Sequence, residues 1–321
     1  MASEKAPRSH HPHAGPDAGP DASPKEPRRK PAGKLRLPRR RPLREGVVTA
    51  FARVLAAARR VARTSTDDSV SAVHEYRKCL RRARAVVALL RPALGRRTER
   101  GLRRKLREAF EVTGAFRDAD VLQSTLAALP PVPEDDLARH AISVSFELDQ
   151  RRSRRDASEA LARGLASVAG LPAVLDTCLD PAFSAHDLER GLMRLRRRER
   201  RALGKAQESR SVADFHEWRK RLKELRYAVE LVASGGTREL QAREKALGNL
   251  ARDLGDVTDL TVLAREIERR RDEGAVPPAP HLLARIGELA AGGAAKLLDR
   301  GADLFEADPK TFARQALAER G

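Results

Sequence analysis

From residue 44 onward, apolar residues recur at three- and four-residue intervals across long stretches without proline. That periodicity predicts amphipathic α-helices rather than strands. The pattern places helices near 44–64, 68–91, 98–113, 118–129 and 136–168, and a second series near 186–207, 211–233, 238–253, 259–272 and 281–305. Asp67 or Asp68 is expected to cap the second helix, and Ser209 or Ser211 its counterpart in the later series. Gly114 and Gly255 suit helix C-termini, with Asp118 and Asp259 as caps of the helices that follow. Proline clusters break the pattern after the fourth helix of each series, and Pro172 and Pro181 bracket the junction between the two.

The two series read as one unit repeated. VHEYRKCLRRARAVVALL (73–90) matches FHEWRKRLKELRYAVELV (215–232) at a constant offset of 142. GAFRD (114–118) parallels GDVTD (255–259), and PPVPEDDLAR (130–139) parallels PPAPHLLAR (277–285), in the same order. The expected fold is therefore all-α. A first helical bundle over 44–172 and a second over 182–310 are related by internal duplication and a pseudo-twofold axis.

The strongest match is amphipathic in an unusual sense, apolar against cationic. With His74 at zero on a helical wheel, Arg77, Lys78, Arg81 and Arg84 fall within an arc of about 120°. Val73, Tyr76, Leu80, Ala83, Val87 and Leu90 take the opposite side, as the stripe expected to face a core. The second copy repeats both faces, with His216, Arg219, Lys220, Lys223 and Arg226 opposite Phe215, Trp218, Leu222, Leu225, Val229 and Val232. A helix built only for stability mixes charge signs at four-residue spacing. Here the first basic arc holds no acid, and only Glu230 enters the extension of the second. A bound anion would offset the repulsion within and between these faces. A further stripe, Arg190, Arg194, Arg197 and Arg201, either enlarges such a surface or is solvated arginine without a role.

Charge strengthens this picture and composition limits it. The 321 residues hold 64 Lys and Arg against 45 acids, a net charge of +19, which suits a polyanionic partner. Arginine dominates the bases so heavily that the placement of charge says more than its total. Residues 1–43 hold nine of the 19 prolines and few large apolar groups, and are expected to be a disordered basic tail. The tail serves either as a soluble extension or as an electrostatic arm. His10, His11 and His13 lie in it and are not expected to form a metal site. Cys79 and Cys178 have no metal-type spacing and are expected to be buried, reduced thiols. With no signal-like segment and no apolar run of membrane-spanning length, the expectation is a cytoplasmic protein without cofactor or metal.

HEYRK and HEWRK, each opening a basic helix, resemble the paired signature of the CHAD (conserved-histidine α-helical) domain over about residues 44–305. The resemblance implies two four-helix bundles with a basic groove or pore at their junction, binding of inorganic polyphosphate and association with polyphosphate granules. It implies that His74, Arg77, Lys78, Arg81 and Arg84 line that surface together with His216, Arg219, Lys220, Lys223 and Arg226. Cys79 and Arg82 stand opposite Arg221 and Glu224 in the other copy, so the halves are not expected to bind equally. The chemistry agrees, since Arg offers bidentate forks and Lys a point charge to phosphate oxygens.

Two other function classes compete. Nonspecific nucleic-acid binding suits the charge, especially through the basic tail, but aromatic residues are too few for a stacking platform. A phosphohydrolase would need more than His186 and Asp187, which no second His/Asp set accompanies, and no P-loop, HExxH or nucleophile elbow is present. The reading is a binding protein rather than an enzyme.

Overall fold

The computed structural model describes residues 34–38, 41–63, 69–234, 236–305 and 307–319. The first 33 residues, including the three tail histidines, and Asp67 and Asp68 lie outside that range. The described chain is all-α, with eleven helices and one 3₁₀ turn. They are α1 (Leu43–Arg63), α2 (Ser69–Leu89), α3 (Arg91–Glu111), α4 (Gly114–Ala127), a 3₁₀ turn (Pro133–Asp135) and α5 (Asp136–Val168). There follow α6 (Leu171–Cys178), α7 (Ala185–Ser209), α8 (Val212–Ala233), α9 (Arg238–Asp272), α10 (Pro280–Leu304) and α11 (Pro309–Ala318).

The departures from the expected boundaries have one main cause. Pro92, Pro172, Pro280 and Pro309 all sit in the first turn of a helix. At that position the missing N–H has no intrahelical acceptor to lose and the fixed φ favours the helix. Pro172 therefore opens α6, a helix within the expected junction between the two bundles. Pro309 opens α11, which runs past the expected end of the second bundle at 310, with Asp308 accepting from Lys310 N (2.8 Å) and Thr311 N (3.3 Å) as its cap. Helix α3 begins earlier than expected because Gly95, at φ 73°, allows a kink that a residue with a Cβ would resist.

The Gly-x-x-x-Asp segments are not caps. Gly114 opens α4, whose N-cap is Thr113, and Asp118 lies inside that helix. Gly255 and Asp259 both lie inside α9, which runs unbroken through the two helices expected at 238–253 and 259–272. Of the two candidate serines at 209 and 211, Ser211 caps α8, accepting from Asp214 N at 3.2 Å.

Both apolar stripes face inward. Tyr76, Leu80, Ala83 and Val87 of α2 and Trp218, Leu222, Leu225 and Val229 of α8 are fully buried. Helix α2 packs against α8, with α1 and α3 beside the former and α7 and α9 beside the latter. The main core therefore draws on both halves of the sequence. A second cluster joins Leu122, Leu126, Ile142 and Phe146 of α4 and α5 to Leu263, Ile267, Leu282 and Ile286 of α9 and α10. There the Asp135 carboxylate accepts from Leu282 N (2.7 Å), so the first half caps a helix of the second. Residues 34–38, assigned to the tail by composition, form no helix, yet Leu35 and Leu37 are buried in the main core. Cys79 is buried as expected, whereas Cys178 is exposed at the end of α6.

Candidate functional site

The packing of α2 against α8 follows from their inner faces, and it carries the basic outer faces into one cleft of about 430 Å³. Arg77, Arg81 and Arg84 enter it from α2, and His216, Arg219, Lys220 and Lys223 from α8. Seven of the ten residues in the paired motif thus line one space. The apolar faces had to meet to be buried, and their helical spacing then determined where the cations point.

The cleft has a floor that the motif did not indicate. Phe110 of α3 lies under the α2 arginines, with the Arg77, Arg81 and Arg84 guanidinium carbons 3.7, 5.2 and 5.8 Å from its ring centre. A ring face both attracts these cations and fixes their planes without neutralising them. Arg103 and Arg107 of α3 and Arg221 of α8 also line the cleft. The signal for them was the run RGLRRKLREAF (100–110), in which Arg103, Arg107 and Phe110 share one helix face. Without the fold, nothing showed that this face turns toward α2 and α8.

Arg77 and Arg219 are structural as well as cleft-lining. Arg77 is buried and donates Nη1 to Phe110 O (3.0 Å) and Thr113 Oγ1 (3.1 Å), tying α2 to the end of α3. Arg219 donates to Thr258 Oγ1 and pairs with Asp259 at 2.8 Å. Its guanidinium packs on Gly255, and one repeat of two helical turns later Arg226 packs on Gly248. Those glycines sit inside α9 because arginines of α8 occupy the space of their missing side chains.

Glu224 stands where the first copy has Arg82. Its carboxylate meets Arg103 of α3 (2.7 Å), Arg198 of α7 (3.2 Å) and Arg221 of α8 (3.4 Å). Burial, with Arg103 nearby, holds the Arg84 pKa below its usual value; burial also lowers Arg198 despite the opposing pull of Glu224. Burial, then Lys220 and Arg219, keep His216 below the ordinary histidine value. Lys220 itself is exposed at the rim.

The remaining motif residues lie elsewhere. His74 is exposed outside the cleft lining, and Lys78 reaches Glu75 at 3.1 Å. Arg226 turns to α9, where its Nε is 3.8 Å from Glu244. The α7 stripe does not join the cleft either. Arg190, Arg197 and Arg201 are exposed, and Arg194 donates to Ala88 O at the C-terminal turn of α2. Burial and the neighbouring Arg198 and Arg91 pull the Arg194 pKa down to about 10. One turn earlier, Gly191 leaves room for the Leu89 carbonyl, so Arg194 serves the seating of α7 on α2. Asp187 belongs to the capping box of α7, bonded to Ser184 N at 3.2 Å.

The family model for the CHAD domain matches residues 46–268. No curated protein matches the chain. Among solved structures, the chain is similar to the CHAD domain from the plant Ricinus communis, with 22% identity, a TM-score of 0.63, and coverage of 89% of this chain and 95% of that one. It is also similar to PptA from Streptomyces chartreusis, with 19% identity, a TM-score of 0.53, and coverage of 86% and 97% respectively. At such identities the likeness is one of fold. The family match spans both histidine motifs and the helices between them, and on that ground the chain belongs to the CHAD domain family.

Proposed function

We propose that the cleft between α2, α3 and α8 binds inorganic polyphosphate, and that the protein is a polyphosphate-binding protein of the cytoplasm associated with polyphosphate granules. The observation that carries the reading is the charge of the lining. Among the described residues, nine Arg and Lys side chains from three helices share the lining with two carboxylates, Glu217 and Glu224. Such a surface suits a ligand that is phosphate along its whole length, because guanidinium forks and ammonium groups bond its oxygens and no base has to be read. The pairing of the two motif copies is read as an internal duplication, each copy supplying one wall.

Nucleic acid is the competing ligand. Among the described residues, the cleft lining holds two aromatic residues, Phe110 beneath three arginines and Tyr227, which gives exposed bases little to stack on. The test titrates long polyphosphate into the wild type and into a variant with Arg81→Ala, Lys220→Ala and Lys223→Ala. The variant keeps the structural arginines Arg77 and Arg219. Expected are weaker binding and a salt slope shallower by about 2, at roughly 0.7 per lost contact. Equal binding by the variant, or easy displacement by duplex DNA at equal phosphate concentration, refutes the proposal.

A further inference from the structure

We propose that the outer face of α5 is a dimerisation surface, on which a second copy of this chain packs its own α5 antiparallel. The inner face of the helix is already occupied. Ala138, Ile142 and Phe146 are buried in the second hydrophobic cluster. Beside them, Ser145 and Asp149 accept from Arg270 of α9, and Ser143 accepts from Gln123 of α4 at 2.8 Å. These contacts fix the rotation of α5 about its axis and hold its other side toward solvent.

That side carries Leu137, Ala141, Val144 and Leu148, which fall within an arc of about 60°. Leu137 is 89% exposed, Val144 42% and Leu148 47%. Among the described residues, five large hydrophobic side chains are exposed, and three of them share this one stripe. Single exposed residues such as Val174 and Val262 are ordinary, whereas a contiguous apolar stripe marks an interaction surface. Its spacing of four, three and four residues is that of a coiled-coil seam, the pattern by which one helix packs along another. No residue of α5 lines the basic cleft, so a ligand held there leaves the stripe uncovered.

The charges beside the stripe point to a second copy as the partner. Glu134, in the turn before α5, and Arg151 stand at its two ends, and both are exposed. A twofold axis between Ile142 and Ser143 brings Leu137 of one copy onto Leu148 of the other, and Ala141 onto Val144. The same register sets Glu134 against Arg151 and His140 beside Glu147, and the symmetry makes each contact twice. Arg151 lies 3.9 Å from its own Glu147, so the second copy's Glu134 completes a line of alternating charge. A parallel pairing would instead set Glu134 against Glu134 and Arg151 against Arg151. From Leu137 to Leu148 the seam runs about 17 Å, less than an interface of roughly 800 Å² per partner needs. The dimer therefore exchanges with monomer, and its population follows protein concentration.

The test is sedimentation of the ligand-free full chain from about 5 µM to about 1 mM. The wild-type mass should rise with concentration from 35.4 kDa toward twice that value. Leu137→Glu/Leu148→Glu should stay monomeric throughout, with an unchanged urea midpoint because both positions are exposed. Glu134→Arg and Arg151→Glu should each weaken association by about tenfold, since every contact is lost twice. The two changes together should restore it, because each charge then meets its opposite again. A wild type that is monomeric at the highest concentration overturns the proposal and leaves the stripe to a different protein. A dimer unaffected by the leucine substitutions overturns the surface. Failure of the double charge reversal to restore association overturns the antiparallel pairing.

Discussion

A Cβ added to Gly255 would stand 3.1 Å from a terminal nitrogen of Arg219, so the glycine in the middle of α9 is a seat for the arginine of α8. The same arginine bonds Thr258 and pairs with Asp259 across the next turn. A Gly and an Asp four residues apart, which look like a helix end and a helix start, thus form one receptor for a side chain of the neighbouring helix.

Gly255→Ala should therefore destabilise the protein by about 1–3 kcal/mol, the usual cost of overpacking, although alanine is the better helix former. Urea denaturation measures it. A stabilised variant would show that the packing on Gly255 is not what keeps the residue small.

Glu230 and Arg82 are each nearly fully buried and pair across α2 and α8. Removing one partner strands a charge and should cost about 3–5 kcal/mol. Replacing both with leucine should cost far less, because the desolvation of both charges disappears as well. Chemical denaturation of the single and double variants gives the coupling; additive losses would contradict it.

Glu224 draws three arginines together and also repels any phosphate that enters beside it. Glu224→Gln should lower the melting temperature of the ligand-free protein, as repulsion among Arg103, Arg198 and Arg221 is unmasked. The same change should tighten polyphosphate binding by about tenfold, equivalent to about 1.4 kcal/mol. Calorimetry reads both. Weaker binding by the variant would mean that the carboxylate serves only to position the arginines.

His216 is held below the ordinary histidine pKa by burial and by its cationic neighbours. A bound polyanion favours the protonated ring and raises that pKa, so proton uptake accompanies binding. Affinity should rise as pH falls from about 8 through the bound-state pKa and level off below the free-state value. His216→Gln should flatten this profile between about pH 8 and 6. A profile unchanged by the substitution places the titrating group elsewhere.

Much of the architecture was legible because it rests on periodicity. The apolar stripes of residues 73–90 and 215–232 had to be buried, and their opposite arcs were therefore cationic surfaces of known membership. Proline was less informative, since Pro172 and Pro309 can mark either a break or a first turn and local sequence does not distinguish them. The arcs were also too broad. Arg226 shares its face with Lys223 yet turns to Glu244 and Gly248, because a long side chain at the edge of an arc follows whichever neighbour packs beside it.

What the sequence by itself determined is an all-α chain with two matched helices, each apolar on one side and basic on the other, because helical spacing depends only on local geometry. What the tertiary structure decided is which cations share a space. Arg103, Arg107 and Phe110 joined the cleft, Arg194 was diverted to the Ala88 carbonyl, and Leu35 was drawn into the core. Those outcomes depend on which helices pack together, and residues far apart in the chain acquire a common environment only once the apolar faces have been buried.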